Sequence, residues 1–176
     1  FVKGYSAAQL VTDGYTIQQL ESTNSNIISL SSVGFTITNL VSLGFSYGQL
    51  KFGGFTTTQF KQAGYDINVF KSAGFDDSAI LSSGFTSTEL KASNYTAIQL
   101  RNTNYSITDL YTANYSVLNL KDAEYTINEI IQAGYTNVAD FLNASYSITI
   151  LRNAGFTAAQ LKTENKSLAE LVAGGF

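Results

Sequence analysis

A period of ten residues, kept almost without gaps, is the strongest constraint on what this chain can fold into. It reads FVKGYSAAQL, VTDGYTIQQL, ESTNSNIISL, SSVGFTITNL and so on, with the consensus K-x-A-G-[YF]-[ST]-I-x-Q-L. Seventeen repeats run to Leu171, and the half repeat VAGGF follows. Position five is aromatic in 16 of 18 cases, Ser25 and Lys166 being the exceptions, and position ten is apolar in all seventeen. One continuous helix cannot use this spacing. At about 100° per residue, ten residues advance the apolar face by about 280° and wind it out of register. The period therefore demands an element that stops and restarts within each repeat.

Helix-start and helix-stop signals recur at matching offsets. In GYSAAQLVTDGY, Ser6 is an N-cap and Gln9 the N3 residue of a capping box. Tyr5 and Leu10 form the N′–N4 hydrophobic staple, and Gly14 ends a helix predicted over 7–13. Tyr15 then stands at C″ against Leu10 at C3, the pair that touch in a Schellman ending. Each aromatic thus closes one helix and opens the next. Charge agrees: eight of ten basic residues hold position one, in the last helical turn. Glu89, Asp109, Glu129 and Glu170 hold N3, in the first turn. Both placements complement the helix dipole. The predicted fold is all-α, a solenoid of short helices with one two-turn helix per repeat, forming a single array over 1–176. A β-solenoid of small coils is the rival, favoured by the T-I and Y-T pairs and disfavoured by the caps.

Position four needs left-handed backbone. Gly fills it in 11 of 18 repeats, and Asn, the next best residue there, appears at 24, 94, 104, 114 and 165. An aromatic and then a Ser or Thr cap usually follow, so glycosylation triplets at Asn94, Asn104, Asn114 and Asn165 arise from backbone requirements alone; Asn143 begins a fifth. The triplets are compatible with glycosylation but are no evidence of export. Glu124 and Ser145 are less suited to the same position.

The pattern breaks at 131–141, IQAGYTNVADF, which has eleven residues. There the cap is expected to move from Thr136 to Asn137, restoring the cap-to-N3 spacing with Asp140 and returning Phe141 to N4. The extra residue then lies in the connection, giving a local change of direction with both helices retained. Repeats lacking the aromatic, at Ser25 and Lys166, should be the weakest.

Composition removes many chemistries. The chain has no His, Cys, Pro, Met or Trp, so thiol nucleophiles, disulfides, imidazole bases and thiolate metal sites are excluded. Its net charge of -3 gives no footprint for nucleic acid, and no apolar run is long enough to span a membrane. Asp76 and Asp77 form the densest acidic pair but lack the alternating ligands of a calcium loop. No catalytic, cofactor-binding or metal site emerges. The periodic Thr column could suggest ice or crystal-surface binding, but Asp66 and Asn26 substitute for Thr as caps within it. Tyr47 and Tyr111, outside the aromatic column, and the off-column Leu43 and Phe52 are the candidates for an interaction surface.

The repeat resembles the tandem array G-[FY]-[ST]-x-x-x-L-[KR]-x-A of predicted proteins in large DNA viruses, bacteria and protists. KQAGYDINVFKSAGF and RNAGFTAAQLKTENKS carry the likeness, which covers nearly the whole chain. The resemblance implies a stacking scaffold or binding surface and transfers no catalytic residue. The reading is a non-catalytic structural repeat protein, a rod, cement or filament component of a larger assembly such as a virion or surface structure. Its partners would be other proteins of that assembly, or copies of itself, engaged through ends or a lateral face. A protein- or glycan-binding solenoid is the alternative, expected to show a coherent patch at matched positions. The start without Met suggests a window of a longer chain, and ends without polar caps imply either missing flanking residues or ends covered by partners.

Overall fold

The N-cap side chains set where each helix begins. Thr36 accepts the Asn39 N–H at 3.1 Å, and the Asn39 side chain accepts the Thr36 N–H in return. The same reciprocal box recurs in nine further helices, from Ser46–Gln49 to Ser167–Glu170, while the caps Asp66, Asp76, Asn137 and Ser147 form none. The helix stops are equally regular. Phe45 N–H donates to Leu40 O at 3.0 Å and Gly44 N–H to Val41 O at 2.8 Å, the bond pair of a Schellman ending. Five or six residues then separate start from stop, which is why no helix lengthens. Helices this short cannot stand alone in water, so packing must hold them.

The computed structural model describes residues 13–14 and 35–176. The helix expected at 7–13 and the aromatic gap at Ser25 lie outside the described residues, Asp13 and Gly14 excepted. Residues 35–176 hold fourteen short helices and no strand. The fold is all-α, as the cap pattern requires, and the β-solenoid is excluded for these residues. The chain divides into two compact units, Phe1–Phe85 and Thr86–Phe176. The first contains α1 (Ile37–Ser42), α2 (Tyr47–Phe52), α3 (Thr57–Gln62), α4 (Ile67–Ser72) and α5 (Asp77–Leu81). The second begins with α6 (Ser87–Ala92), α7 (Ala97–Arg101), α8 (Ile107–Thr112), α9 (Val117–Asp122) and α10 (Ile127–Gln132). It continues with α11 (Val138–Asn143), α12 (Ile148–Asn153), α13 (Ala158–Thr163) and α14 (Leu168–Ala173).

Within each unit a helix packs most closely on the helix two repeats away. In the first, α2 lies on α4; in the second, α6 lies on α8, α7 on α9 and α9 on α11. Consecutive helices therefore fall into two columns, and the stacking period is twenty residues. The position-ten side chains fill the space between the columns. Leu40, Leu50, Phe60, Phe70 and Ile80 are fully buried in the first unit, as are Leu90 to Leu161 in the second. Each such side chain contributes roughly 1.5–3 kcal/mol relative to exposure. Where position ten is a phenylalanine, its ring meets position-five rings further along the chain. Phe60 lies 6.0 Å from Tyr65 and 5.2 Å from Phe75, and Phe141 lies 5.8 Å from Tyr146 and 5.1 Å from Phe156. Position seven adds a second layer, with Ile67, Ala97, Val117 and Val138 buried.

The eleven-residue repeat keeps both neighbouring helices, and Asn137 becomes the cap of α11 with Phe141 buried. One detail differs from expectation. The Asn137 side-chain Oδ1 accepts from Ala139 N–H at 3.0 Å, one residue short of N3, and Asp140 closes no box. The cause is visible in the backbone at Asn137, whose ψ of 114° departs from the 155–161° of the boxed caps in this unit.

Candidate interaction surface

Asn94, Asn104, Asn114 and Asn165 have φ between 59° and 70°, and each ends a helix. Their triplets are thus a by-product of helix termination. Asn143 is instead the last residue of α11. Glu124 and Ser145 take the same left-handed geometry at φ 60° and 59°. The Glu124 carboxylate stands 3.9 Å from the Arg101 guanidinium.

The position-one cations do more than face their own helix end. Lys51, Lys61, Lys91, Arg101 and Lys121 each reach two repeats ahead in the same column. The Lys91 ammonium donates to Ala113 O at 3.1 Å and to Asn114 O, at the C-terminus of α8. It also lies 5.2 Å from the centre of the Tyr115 ring. Lys121 repeats this on Ala144 O at 2.6 Å and on the Tyr146 ring, and Arg101 on Ala123 O and the Tyr125 ring. In the first unit Lys51 donates to Gly74 O beside the Phe75 ring, and Lys61 stands over Phe85. A cation at a helix C-terminus and over an aromatic face is favoured on both counts. Tyrosine hydroxyls add a second link, Tyr115 donating to Tyr95 O at 2.5 Å and Tyr135 to Tyr115 O. Burial pushes both phenols up to about 12.

These bonds consume the groups that chemistry would need. The hydroxyls of Thr56, Thr86, Thr96, Thr126 and Thr157 are engaged in capping boxes, which is the use the Thr column serves. Hydrogen bonds from Thr126 and Ser167 hold the Glu129 and Glu170 carboxyls below the usual carboxylate range. Asp76 accepts from Ala79 N–H at 2.7 Å, and Asp77 lies beside it in the first turn. Among the described residues no cluster of three or more acidic side chains is placed to hold a metal ion. No helix there is long and apolar enough to cross a membrane.

Of the sequence candidates, Phe52 is 91% exposed. Leu43 is half-buried as the C-cap of α1. Tyr47 turns inward, edge-on to Tyr65 at 5.2 Å and Phe60 at 6.3 Å. Tyr111 is 42% exposed and packs edge-on against Tyr135. The ten-residue reading missed the exposed Ile150, Leu168 and Val172, and it missed Ile98 and Leu118, which are 47% and 46% exposed. Both hold position eight, on α7 and α9, which stack directly. Reading position eight in steps of twenty would have found them.

With this geometry in view, the comparison with known families is direct. The model described as "Decapeptide repeat region" matches residues 2–67, 25–97 and 84–149, which together span most of the chain. The chain belongs to the decapeptide-repeat family. No curated protein and no solved structure shows significant similarity to it. In this decapeptide array the repeated residues are therefore read from their own contacts: position four turns the chain, position six starts the helix, and position one ties it to the next of its column.

Proposed function

We propose that this decapeptide array is a structural component, a rod, cement or filament element of a larger assembly such as a virion or surface structure, working through lateral contact. The observation that carries this reading is the pair Ile98 and Leu118, half-exposed at equivalent positions of stacked helices. Among position-eight residues from 38 to 169 they alone are large and apolar, the rest being Thr, Asn, Ser, Ala or Gly. Contiguous apolar side chains on an otherwise polar helix face favour contact with another protein surface. The engagement of caps and cations in internal bonds supports a scaffold in place of a reacting centre. A second copy of the chain is the simplest partner.

Sedimentation velocity at several concentrations tests this. The weight-average mass is expected to rise with concentration, and an Ile98→Asn, Leu118→Asn double variant is expected to stay smaller at every concentration while its thermal melt is retained. A mass that is independent of concentration in both proteins would favour the protein-binding solenoid instead.

A further inference from the structure

The eleven-residue repeat leaves a cavity of about 500 Å³ in the second unit, bordered by Tyr111, Asn114, Tyr115, Ser116, Tyr135 and Asp140. Two departures from the repeat meet there. At five other places a Lys or Arg of position one lies 3.6–5.3 Å from the ring centre of the position-five residue two repeats on. For the Tyr135 ring, position one is Tyr111, so an edge-on phenol stands where a cation stands elsewhere, 4.8 Å between ring centres. Tyr111 lies so close over Gly134 that a Cβ there would come within 3.1 Å of its ring. The second departure is Asp140. Glu89, Asp109, Glu129 and Glu170 are N3 carboxylates held in capping boxes. Asp140 is the N3 carboxylate that the shifted cap leaves out, and among the described residues no donor reaches its carboxylate.

We propose that this cavity seats a lysine side chain of a partner protein, with its ammonium against the Tyr111 and Tyr135 rings and Asp140 as counter-charge. The fold itself supplies the precedent: aromatic rings at position five are met by cations wherever position one is basic in the pairs above. Here the internal cation is missing, the aromatic surface is doubled, and a carboxylate is set beside it. A cation gains from the Tyr111 ring, which is 42% exposed beside Tyr135, and from the unpaired charge. A sugar fits less well, since stacking needs a flat open ring face, and these two rings stand at 82° to each other. Burial first, then the neighbouring Tyr111 and Asp140, push the Tyr135 phenol up, so it stays neutral. Neither Ile98 nor Leu118 lines this seat, and either proposal stands if the other fails.

The test is an NMR titration of the whole chain with the peptide acetyl-Gly-Lys-Gly-amide, its Nε-acetylated form, and a chitin oligosaccharide. The lysine peptide is expected to shift the amides of Tyr111, Asn114, Tyr135 and Asp140 in a saturable way. Acetylation of the peptide, or Asp140→Asn in the protein, should weaken binding about fivefold or more. Tyr111→Lys restores the basic position one, so it should abolish the response while leaving the thermal melt equal or higher. Equal response to both peptides, no saturable shift, retained binding in Tyr111→Lys, or shifts with the oligosaccharide alone would each overturn the assignment.

Discussion

At the residue scale, position four decides whether each helix can end. Asn94 has φ 68°, and its N–H donates to Lys91 O at 2.9 Å in the helix stop. A β-branched side chain resists that backbone, so Asn94→Val should destabilise by about 1–2 kcal/mol, while Asn94→Gly should be neutral or slightly stabilising. Urea melts of both variants measure this, and a Val variant that melts like the parent would remove position four from the account. The buried tyrosines give a pH signature. Tyr115 and Tyr135 are raised to about 12 in the fold from about 10 in an unfolded chain. Folding therefore favours the protonated phenols. Their contribution is fully present below pH 10 and is lost as pH rises through 12. Urea stability should fall between about pH 10 and pH 12, and the Tyr115→Phe, Tyr135→Phe variant should show a flatter profile.

At the element scale, the start of each described helix was legible in the sequence because its cause is local, while the helices end a residue or two sooner than the seven-residue span read for the repeat. Ser106 and Asp109 form a box whichever way the next helix packs, and Gly44 ends α1 for reasons internal to its own turn. The stacking partner was not legible. When each repeat offers nearly the same Lys, Tyr and Leu, the sequence does not distinguish a neighbour one repeat away from one two repeats away. The role of Lys91 shows the consequence. Its placement in the last turn of α6 was read as a dipole effect on that helix, whereas its ammonium bonds to Ala113 O at the end of α8. Asp140 was misplaced for a related reason: the cap-to-N3 spacing fits a box, but the connection turns Asn137 toward Ala139. Replacing Lys91 by Met keeps the aliphatic stem and removes the cation. That variant should lose about 1–2 kcal/mol, from the bond to carbonyl oxygen and the Tyr115 ring contact together. Equilibrium unfolding checks it, and a loss smaller than that of an exposed lysine such as Lys162→Met would contradict the clamp.

At the scale of the whole molecule, a ten-residue sequence period is converted into a twenty-residue packing period within each compact unit. Cohesion therefore runs along two interleaved columns, tied by position-one cations and tyrosine hydroxyls and joined through the position-ten side chains between them. That arrangement also gives the lateral proposal its geometry, because Ile98 and Leu118 become neighbours only if α7 stacks on α9. The absence of cysteine allows labels to be placed without interference. Pyrene attached at Ile98→Cys and Leu118→Cys, in dilute protein, reports their separation through excimer emission. Stacked helices stand about 8–10 Å apart, so this pair should give strong excimer emission, while Ile98→Cys with Thr108→Cys, on consecutive helices of different columns, should emit mainly as monomer. Excimer emission from the 98–108 pair and none from the 98–118 pair would contradict the twenty-residue packing period.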